Sequence, residues 1–570
     1  MSQEFLPYGL RKKEILEKSR EDRRVRRFLT PQKVVWTSHG DKCSITGTEY
    51  LLLDREPQIN LNAEEVCVLE NKGAPASIVL DFGVEFHGNV KLFVKEVSQE
   101  RVNLRVRFGE SVMEAMEDEL GRKRNARNDH INRDSVINVG FLSMNELGPS
   151  GFRFVRIDLL DENTSISFKA IKGIAIYREL EYKGAFACND ERLNTIWNTG
   201  AYTIHLNMQE YVWDGIKRDR LVWIGDMHPE TSTIQAVFGY DPSVPASLDL
   251  ARDETPLPGW MDGISSYSIW WILIHYGWYM QNGDLAYLAE QRSYLVQLLD
   301  LLCDLVDSET GSEALPEFRF IDWPSNGNTE AVHAGLQGLL KLGLDRGAFL
   351  CRELGEEEAA ERCSKTADIL KKHCPDPNGN KQAAAFLALS GIGDPKEMNK
   401  IIQKDGAHRL STFLGYYVLK AQALAGDIDG ALSNISTYWG AMLDRGATTF
   451  WEDFNLDWLE GSGRIDEVLP EGVKDLHGDY GAHCYIGFRH SLCHGWASGP
   501  TAFLSQYVLG FTPAAPGCRK IALRPALGSL KFAEGSYPTP YGTIRVRHEK
   551  EPDGSIKTTV LQKPDEVEII

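Results

Sequence analysis

The sequence predicts a multidomain α and β protein: an N-terminal β-sandwich, a central barrel of α-hairpins and a small C-terminal β-domain. Three observations predict it. Short alternating apolar and polar runs fill residues 31–185, helical periodicities fill 186–510, and alternation returns over 511–570. A length of 570 residues, beyond the range of about 100–200 in which one core is usual, also calls for several domains.

Residues 1–30 read as an N-terminal arm. Arg11, Lys12, Lys13, Arg20, Arg23, Arg24, Arg26 and Arg27 are interleaved with acids there, and no apolar core of signal-peptide length accompanies them. A solvated helix or arm is expected, and export by that route is not. In the β region, "ASIVLDFGVEFHGNVKLFVKEV", "RVNLRVRFGE", "FRFVRIDLL" and "ISFKAIKGIAIYREL" alternate as strands do, with turn residues between them. Such a module serves packing or carbohydrate contact, and nothing in it shows the convergence of acids and donors that chemistry needs.

Near Cys188 the pattern changes. Leu193, Ile196, Trp197, Ala201 and Ile204 fall at helical spacing behind an Asn189 or Asp190 cap. Further helical segments follow, each bounded by Gly, Pro, Asp or Asn. They show no fixed sequence period, so the hairpins are expected to close into a barrel rather than stack as a solenoid. Loops at one end of a barrel converge on a pocket. At the C-terminus "PDGS" predicts a hairpin turn.

Composition excludes several functions. No run approaches the roughly 18 apolar residues that cross a bilayer. A net charge of −19 repels phosphate backbones, so a nucleic-acid partner would need a strongly localised basic patch, for which residues 11–27 are the only candidate, and none is expected. The ten cysteines form no CxxC pair and no dense framework, as expected of reduced thiols in a cytoplasm. P-loop, GxGxxG and GxSxG motifs are missing, so nucleotide and serine-hydrolase chemistry have no starting point.

The densest polar and aromatic segment is "EYVWDGIKRDRLVWIGDMHPE", residues 210–230, in which Asp214, Asp219 and Asp226 sit among Trp213, Trp223, Arg218 and Arg220. Indole faces stack on pyranose rings, Asp and Arg bond sugar hydroxyls, and a carboxyl group against an indole is held protonated by desolvation. The competing reading is a loop network in which the arginines pair with the acids. His228 and Glu230 fit either a helix start or a substrate contact.

A second acidic segment, "GATTFWEDFNLDWLEG", carries Glu452, Asp453 and Asp457 more than two hundred residues later. Glycoside hydrolysis needs two carboxyl groups, and the two segments supply them if the barrel brings them together. His477, His483, His490 and His494 cluster with Asp475, Asp479 and Cys484, but neither a helical His-x3-His pair nor HExxH is present. A polar pocket rim is expected there, without a metal.

"DGIKRDRLVWIGD" resembles the motif Asp-Cys-Pro-x-Arg-Glu-x-Leu-Gly-Trp-x-x-Asp that opens the catalytic domain of the alpha-L-rhamnosidases, inverting glycoside hydrolases of the six-hairpin glycosidase superfamily. "ATTFWEDF" and "SLCHGW" resemble that family's Thr-x-Trp-Glu and Ser-x-Asn-His motifs. The resemblance covers most of the chain from about residue 75. It implies a six-hairpin (α/α)6 barrel between two β-sandwiches, Asp219 as general acid and Glu452 as general base. It also implies that Asp214, Arg218, Trp223, Asp226 and His494 bind the sugar, with Asp322, Trp323 and Trp278 in the pocket wall. Gly215-Ile216 stands for Cys-Pro, Asp219 for Glu, Val222 for Gly and Cys493 for Asn, and these changes bear on which sugar is selected.

The implied reaction is inverting hydrolysis of terminal alpha-L-rhamnosyl residues, with the carboxyl groups about 6.5–9.5 Å apart. It calls for a small saccharide or glycoside substrate, no cofactor, no nucleic acid and no membrane, and it is compatible with a homodimer. Two alternatives stay open: another barrel glycosidase or uronic-acid lyase, and a sugar-binding protein whose acid has lost its catalytic role.

Overall fold

A computed structural model describes residues 22–117, 133–316 and 318–570. Arg11, Lys12, Lys13 and Arg20 of the expected arm lie outside the described residues. The rest of the basic cluster is not an arm: β1 (Arg24–Leu29) pairs antiparallel with β9 (Thr164–Arg178), Arg24 opposite Arg178 and Leu29 opposite Gly173.

Between them run β2 (Lys33–Thr37), β3 (Cys43–Thr46), β4 (Cys67–Asn71), β5 (Ala76–Val97), β6 (Arg101–Gly109), a short helix α1 (Val112–Met116), β7 (Asp134–Gly140) and β8 (Met144–Leu159). The strands hydrogen-bond into one nine-stranded sheet, in the order β3-β4-β9-β5-β8-β6-β7 with β1 added to β9 and β2 to β5. The long strand β5 changes partner along its length. Its first half lies between β2 and β8, and from Gly88 onward β9 replaces β2. Gly88 permits the exchange, since a Cβ there would sit 1.9 Å from the Ile174 carbonyl oxygen. Inside, Phe86 and Phe108 pack on Phe152 with ring centroids 4.4 and 4.5 Å away. Burial of each such ring stabilises by about 1.5–3 kcal/mol.

The helical region holds α2 (Glu191–Asn207), α3 (Met227–Val237), α4 (Ser243–Asp253), α5 (Ser265–Asn282), α6 (Leu285–Asp304), α7 (Thr329–Glu353), α8 (Glu357–Leu370), α9 (Lys381–Ser390), α10 (Pro395–Gln403), α11 (Gly415–Leu424), α12 (Ile428–Asn434), α13 (Gly440–Asp444) and α14 (Gly499–Phe503). Asp190 caps α2, accepting from the Arg192 N–H at 3.0 Å. Helices α3, α5, α7, α9, α11 and α14 pack each on the next, and α14 returns to α3. Sequence dictates which helices take these inner places. α5, "SSYSIWWILIHYGWYMQN", is apolar nearly all round and almost wholly buried, whereas α8 and α10 bury one stripe and expose charge. Among the described residues no helix is long and apolar enough to cross a membrane.

β10 (Ala185–Cys188) belongs to neither the first sheet nor the helices. It pairs with β13 (Phe532–Thr539), followed by β14 (Gly542–Lys550) and β15 (Ile556–Gln562), so the C-terminal sheet is anchored at the start of the helical region. The turn between β14 and β15 is the expected one, closed by the Gly554 N–H on the Glu551 oxygen at 2.9 Å. A smaller sheet joins β11 (Phe511–Pro513), β12 (Lys520–Leu523) and β16 (Glu568–Ile569).

Candidate active site

Three chain-distant segments are woven together at one end of the helical ring. The Gly495 N–H donates to the Asp214 oxygen at 2.8 Å, the His494 N–H to the Phe450 oxygen at 3.0 Å, and the Glu452 N–H to the Ser491 oxygen at 2.9 Å. Residues 214–226, 450–452 and 491–495 are thereby fixed by backbone bonds before any side chain acts. Small residues permit the close weave: Gly215 bridges His494, and a Cβ on Gly225 would meet the Tyr267 ring at 2.4 Å.

Together they line a cavity of about 600 Å³, a volume suited to a small ligand. Asp214, Arg218, Asp219, Trp223, Asp226, Trp323, Glu452 and His494, eight of the residues singled out from sequence, border it.

Arg218 is the centre of the charge arrangement. Its Nη2 donates to both oxygens of Glu452, to Oε2 at 2.6 Å; Nη1 donates to Asp219 Oδ2 at 2.8 Å; and Nε donates to the Arg489 oxygen at 2.7 Å. The loop-network reading of the motif is thus realised for Arg218, inside the cavity rather than instead of it. Arg220 takes no such part and lies 5.9 Å over the Trp213 ring.

Glu452 also accepts the Ser491 N–H at 2.8 Å. Burial pushes its carboxyl up, but the Arg218 charge, His494 and the Ser491 bond outweigh burial and bring it down to about 2. Glu452 is therefore an ion at neutral pH. His494 Nε2 lies 3.0 Å from Asp226 Oδ2, and its Nδ1 lies 3.8 Å from Glu452 Oε1. Burial opposes a charge on this imidazole, yet the two carboxylates raise its pKa.

Asp219 and Arg220 both have left-handed backbones, φ 55° and 52°. Non-glycine residues in that region cost on the order of 1–3 kcal/mol each. The turn is pinned by the Arg220 N–H on the Arg218 oxygen at 2.7 Å and by the Leu221 N–H on Asp214 Oδ1 at 2.9 Å. Asp214 is buried, and desolvation raises its pKa well above the carboxylate range.

Two expected wall residues lie elsewhere. Trp278 sits far along α5 from the cavity-lining Tyr267, roughly 16 Å at 1.5 Å per residue, and packs against Tyr240 with centroids 5.5 Å apart. It is part of the core. Asp322 is buried behind the wall, accepting from the Ser325 N–H at 3.0 Å and the Ser411 hydroxyl at 2.9 Å. It shapes the turn that presents Trp323. His228 and Glu230 fall inside α3, with His228 bonded to the Tyr417 hydroxyl at 2.6 Å, so the helix-start reading applies to them. Asp457 is exposed and pairs with His408 at 3.0 Å.

The cavity also has lining that sequence reasoning missed: Asp262, Tyr267, Phe320, Tyr485, Arg489 and Trp496. Asp262, with φ 54°, is pushed up to about 7 by burial. The pairing of Trp260 with Asp262 in "GWMDG" was the available signal. Of the histidine cluster, His494 lines the cavity and His483 stacks on Trp323 with centroids 5.7 Å apart, whereas His477 is buried behind the site.

Glu110, Glu114 and His477 are disposed as a metal-binding group would be. The Lys217 ammonium, however, lies 3.3 Å from Glu110 Oε2, 3.2 Å from Glu114 Oε1 and 3.2 Å from His477 Nε2. The chain's own cation fills the position a metal would take. These acids come from the N-terminal β region, in which the sequence shows no convergence of acids and donors.

Residues 181–343 match the model of the bacterial alpha-L-rhamnosidase six-hairpin glycosidase domain, and residues 510–568 match that of the bacterial alpha-L-rhamnosidase C-terminal domain. The chain resembles the bacterial alpha-L-rhamnosidases. An alpha-L-rhamnosidase of Alteromonas sp. (strain LOR) is 25% identical over 453 residues, 71% of this chain and 46% of that one. The chain thus spans about half the length of this curated relative. Among solved structures, the GH78 family rhamnosidase of Bacillus sp. GL1 superposes with a TM-score of 0.73 at 20% identity, covering 92% of this chain and 55% of that one. A rhamnosidase from Klebsiella oxytoca with rhamnose bound gives a TM-score of 0.67 at 21% identity, over 86% and 97%. These likenesses show a shared mixed α and β multidomain fold.

Proposed function

We propose that the chain is a glycoside hydrolase that removes terminal alpha-L-rhamnosyl residues by an inverting acid/base mechanism. The observation that carries this reading is the single cavity bordered by Asp219 and Glu452, bridged by Arg218 and walled by Trp223 and Trp323. Glu452, ionised and fixed, takes a proton from water as general base. Asp219 protonates the leaving oxygen as general acid. Asp214, Asp226 and His494 hold sugar hydroxyls, and the two indoles take its apolar faces.

The domain reading proposed is an N-terminal β-sandwich over 31–185, an (α/α)6 barrel over 186–510 and a C-terminal β-sandwich over 511–570. The closed ring of α3, α5, α7, α9, α11 and α14 supports the barrel. Ten free cysteines support a cytoplasmic setting.

The pairing of Asp219 with Arg218 favours one competing reading, a sugar-binding protein, because a carboxylate engaged by that guanidinium must leave it before it can reach a leaving oxygen. An aryl alpha-L-rhamnoside, with the released sugar followed by NMR, separates the readings. The expected result is turnover with β-L-rhamnose appearing first. L-rhamnose binding without turnover of any glycoside establishes the binding protein, and the α anomer first establishes retention.

A further inference from the structure

Glu110 directly follows β6, on the N-terminal β region, and reaches the back of the candidate site. Its Oε2 accepts the Leu492 N–H at 2.7 Å, and its Oε1 accepts the Ser491 hydroxyl at 3.1 Å. The Ser491 N–H is the group that donates to Glu452 Oε2, and the Ser491 carbonyl holds the Glu452 N–H. One carboxylate thus grips the far side of the peptide whose near side grips Glu452.

The same carboxylate reaches the other half of the pair. Lys217, adjacent in sequence to Arg218, places its ammonium 3.3 Å from Glu110 Oε2 and donates to the Phe488 carbonyl and, at 3.1 Å, to the His490 carbonyl. Glu114 completes the cluster, 3.2 Å from Lys217 and from Arg133, and Ser111 bonds His477 at 2.9 Å. Glu110, Glu114, Lys217 and His477 are all at or near zero exposure. Burying so many charges is costly unless they are paired, and here Lys217 pairs with both Glu110 and Glu114, and Arg133 with Glu114, which holds the residue before Arg218 and the segment that faces Glu452.

We propose that Glu110 is a positioning residue for the Arg218–Glu452 pair, acting through Ser491–Leu492 on one side and Lys217 on the other, so that the N-terminal β region is part of the catalytic apparatus. This rests on the hydrolase reading given above. A shift of about 1 Å in a reacting group costs on the order of 100-fold in rate.

The test uses the full chain with Glu110→Gln, which keeps one acceptor oxygen, and Glu110→Ala, which keeps none. The substrate is p-nitrophenyl alpha-L-rhamnoside, and L-rhamnose binding by calorimetry counts intact sites. Per intact site, kcat is expected to fall about 10-fold in Gln and about 100-fold in Ala, with KM changed less than threefold. A merely structural role would lower the melting temperature and the number of sites but leave kcat per site unmoved. A Gln variant within twofold of wild-type kcat per site overturns the proposal, and it decides alone if the Ala variant does not fold. If wild type cleaves no glycoside, the hydrolase reading fails, and a crystal structure of the Gln variant then decides this one. Glu452 displaced from Arg218 and the Ser491 N–H upholds the positioning role, and Glu452 unmoved overturns it.

Discussion

Glu452 and Asp219 share the Arg218 guanidinium, yet the segments that carry them are built on different terms. Around Glu452 the backbone is tied at both ends, its N–H on the Ser491 oxygen and its carbonyl accepting from Thr412 Oγ1 at 2.6 Å and Trp496 Nε1 at 3.0 Å. The residue is 3% exposed, and its lowered pKa keeps it ionised at neutral pH. Asp219 instead rides on two successive left-handed residues and borders both the cavity and a second cleft that Trp213 and Arg220 line. On the proposed hydrolase reading, immobility suits the base role given to Glu452. The Asp219 turn is held by the Arg220 N–H on the Arg218 oxygen and the Leu221 N–H on Asp214, so Asp219 sits on a strained backbone where Glu452 sits on a relaxed one.

The sharpest way to break this comparison is to remove the fixed partner. Glu452→Gln is expected to reduce kcat by about 10³-fold or more, within the range general bases supply. It also leaves Arg218 and His494 short of a buried counter-charge, at a cost of about 3–5 kcal/mol. Chemical unfolding should show this loss at pH 7. The sign follows from the depressed carboxyl: its stabilisation is present above the unfolded value of about 4.5 and is lost as pH falls toward about 2. The gap between wild type and variant should therefore close as the medium is acidified, and a gap constant from pH 7 to 3 refutes the ion-pair account.

The second prediction concerns the strained partner and is smaller. Asp219→Asn should lower kcat about 100-fold on a p-nitrophenyl rhamnoside but only a few-fold on a dinitrophenyl rhamnoside, whose leaving group needs no proton. Affinity for L-rhamnose should stay within about threefold. Equal losses on both substrates would mean that Asp219 does something other than donate.

The same contrast explains what the sequence disclosed. Both segments were visible because carboxylates and indoles crowd within a few residues, an arrangement that core packing does not need. Their meeting was inferred from hairpins without a sequence period, and the inner ring follows from helices apolar all round, such as α5. What stayed hidden depends on tertiary reach. Trp278 shares α5 with Tyr267, but nothing local says which end of an apolar helix faces the cavity. Asp322 reads as a wall residue beside Trp323, yet its neighbours Ser325 and Ser411 turn it inward. Glu110 and Glu114 look like ordinary acids near a strand end, because Lys217, which makes them tolerable in the interior, is about a hundred residues away. The merging of the first sheet was equally invisible, since alternation marks strands but not the point at which β5 changes partner.

The smallest effect is expected at Glu230, buried on α3, where neither carboxylate oxygen has a hydrogen-bond partner among the described residues. Burial, helped by Asp226 and Asp214, raises its pKa well above 4.5. A raised carboxyl favours the folded state below the unfolded value and loses that advantage as pH rises toward the folded one. Glu230→Gln removes the proton dependence while keeping the shape. The variant should gain on wild type by at most about 1.4 kcal/mol per pH unit between pH 5 and 8, read from paired denaturant titrations. A gain that grows with pH identifies Glu230 as a buried neutral acid that lowers the stability of α3. A pH-independent difference would place a counter-charge beside it and, with that, a second fixed ion near Asp226, which would remove the contrast between one locked carboxylate and its more weakly held neighbours.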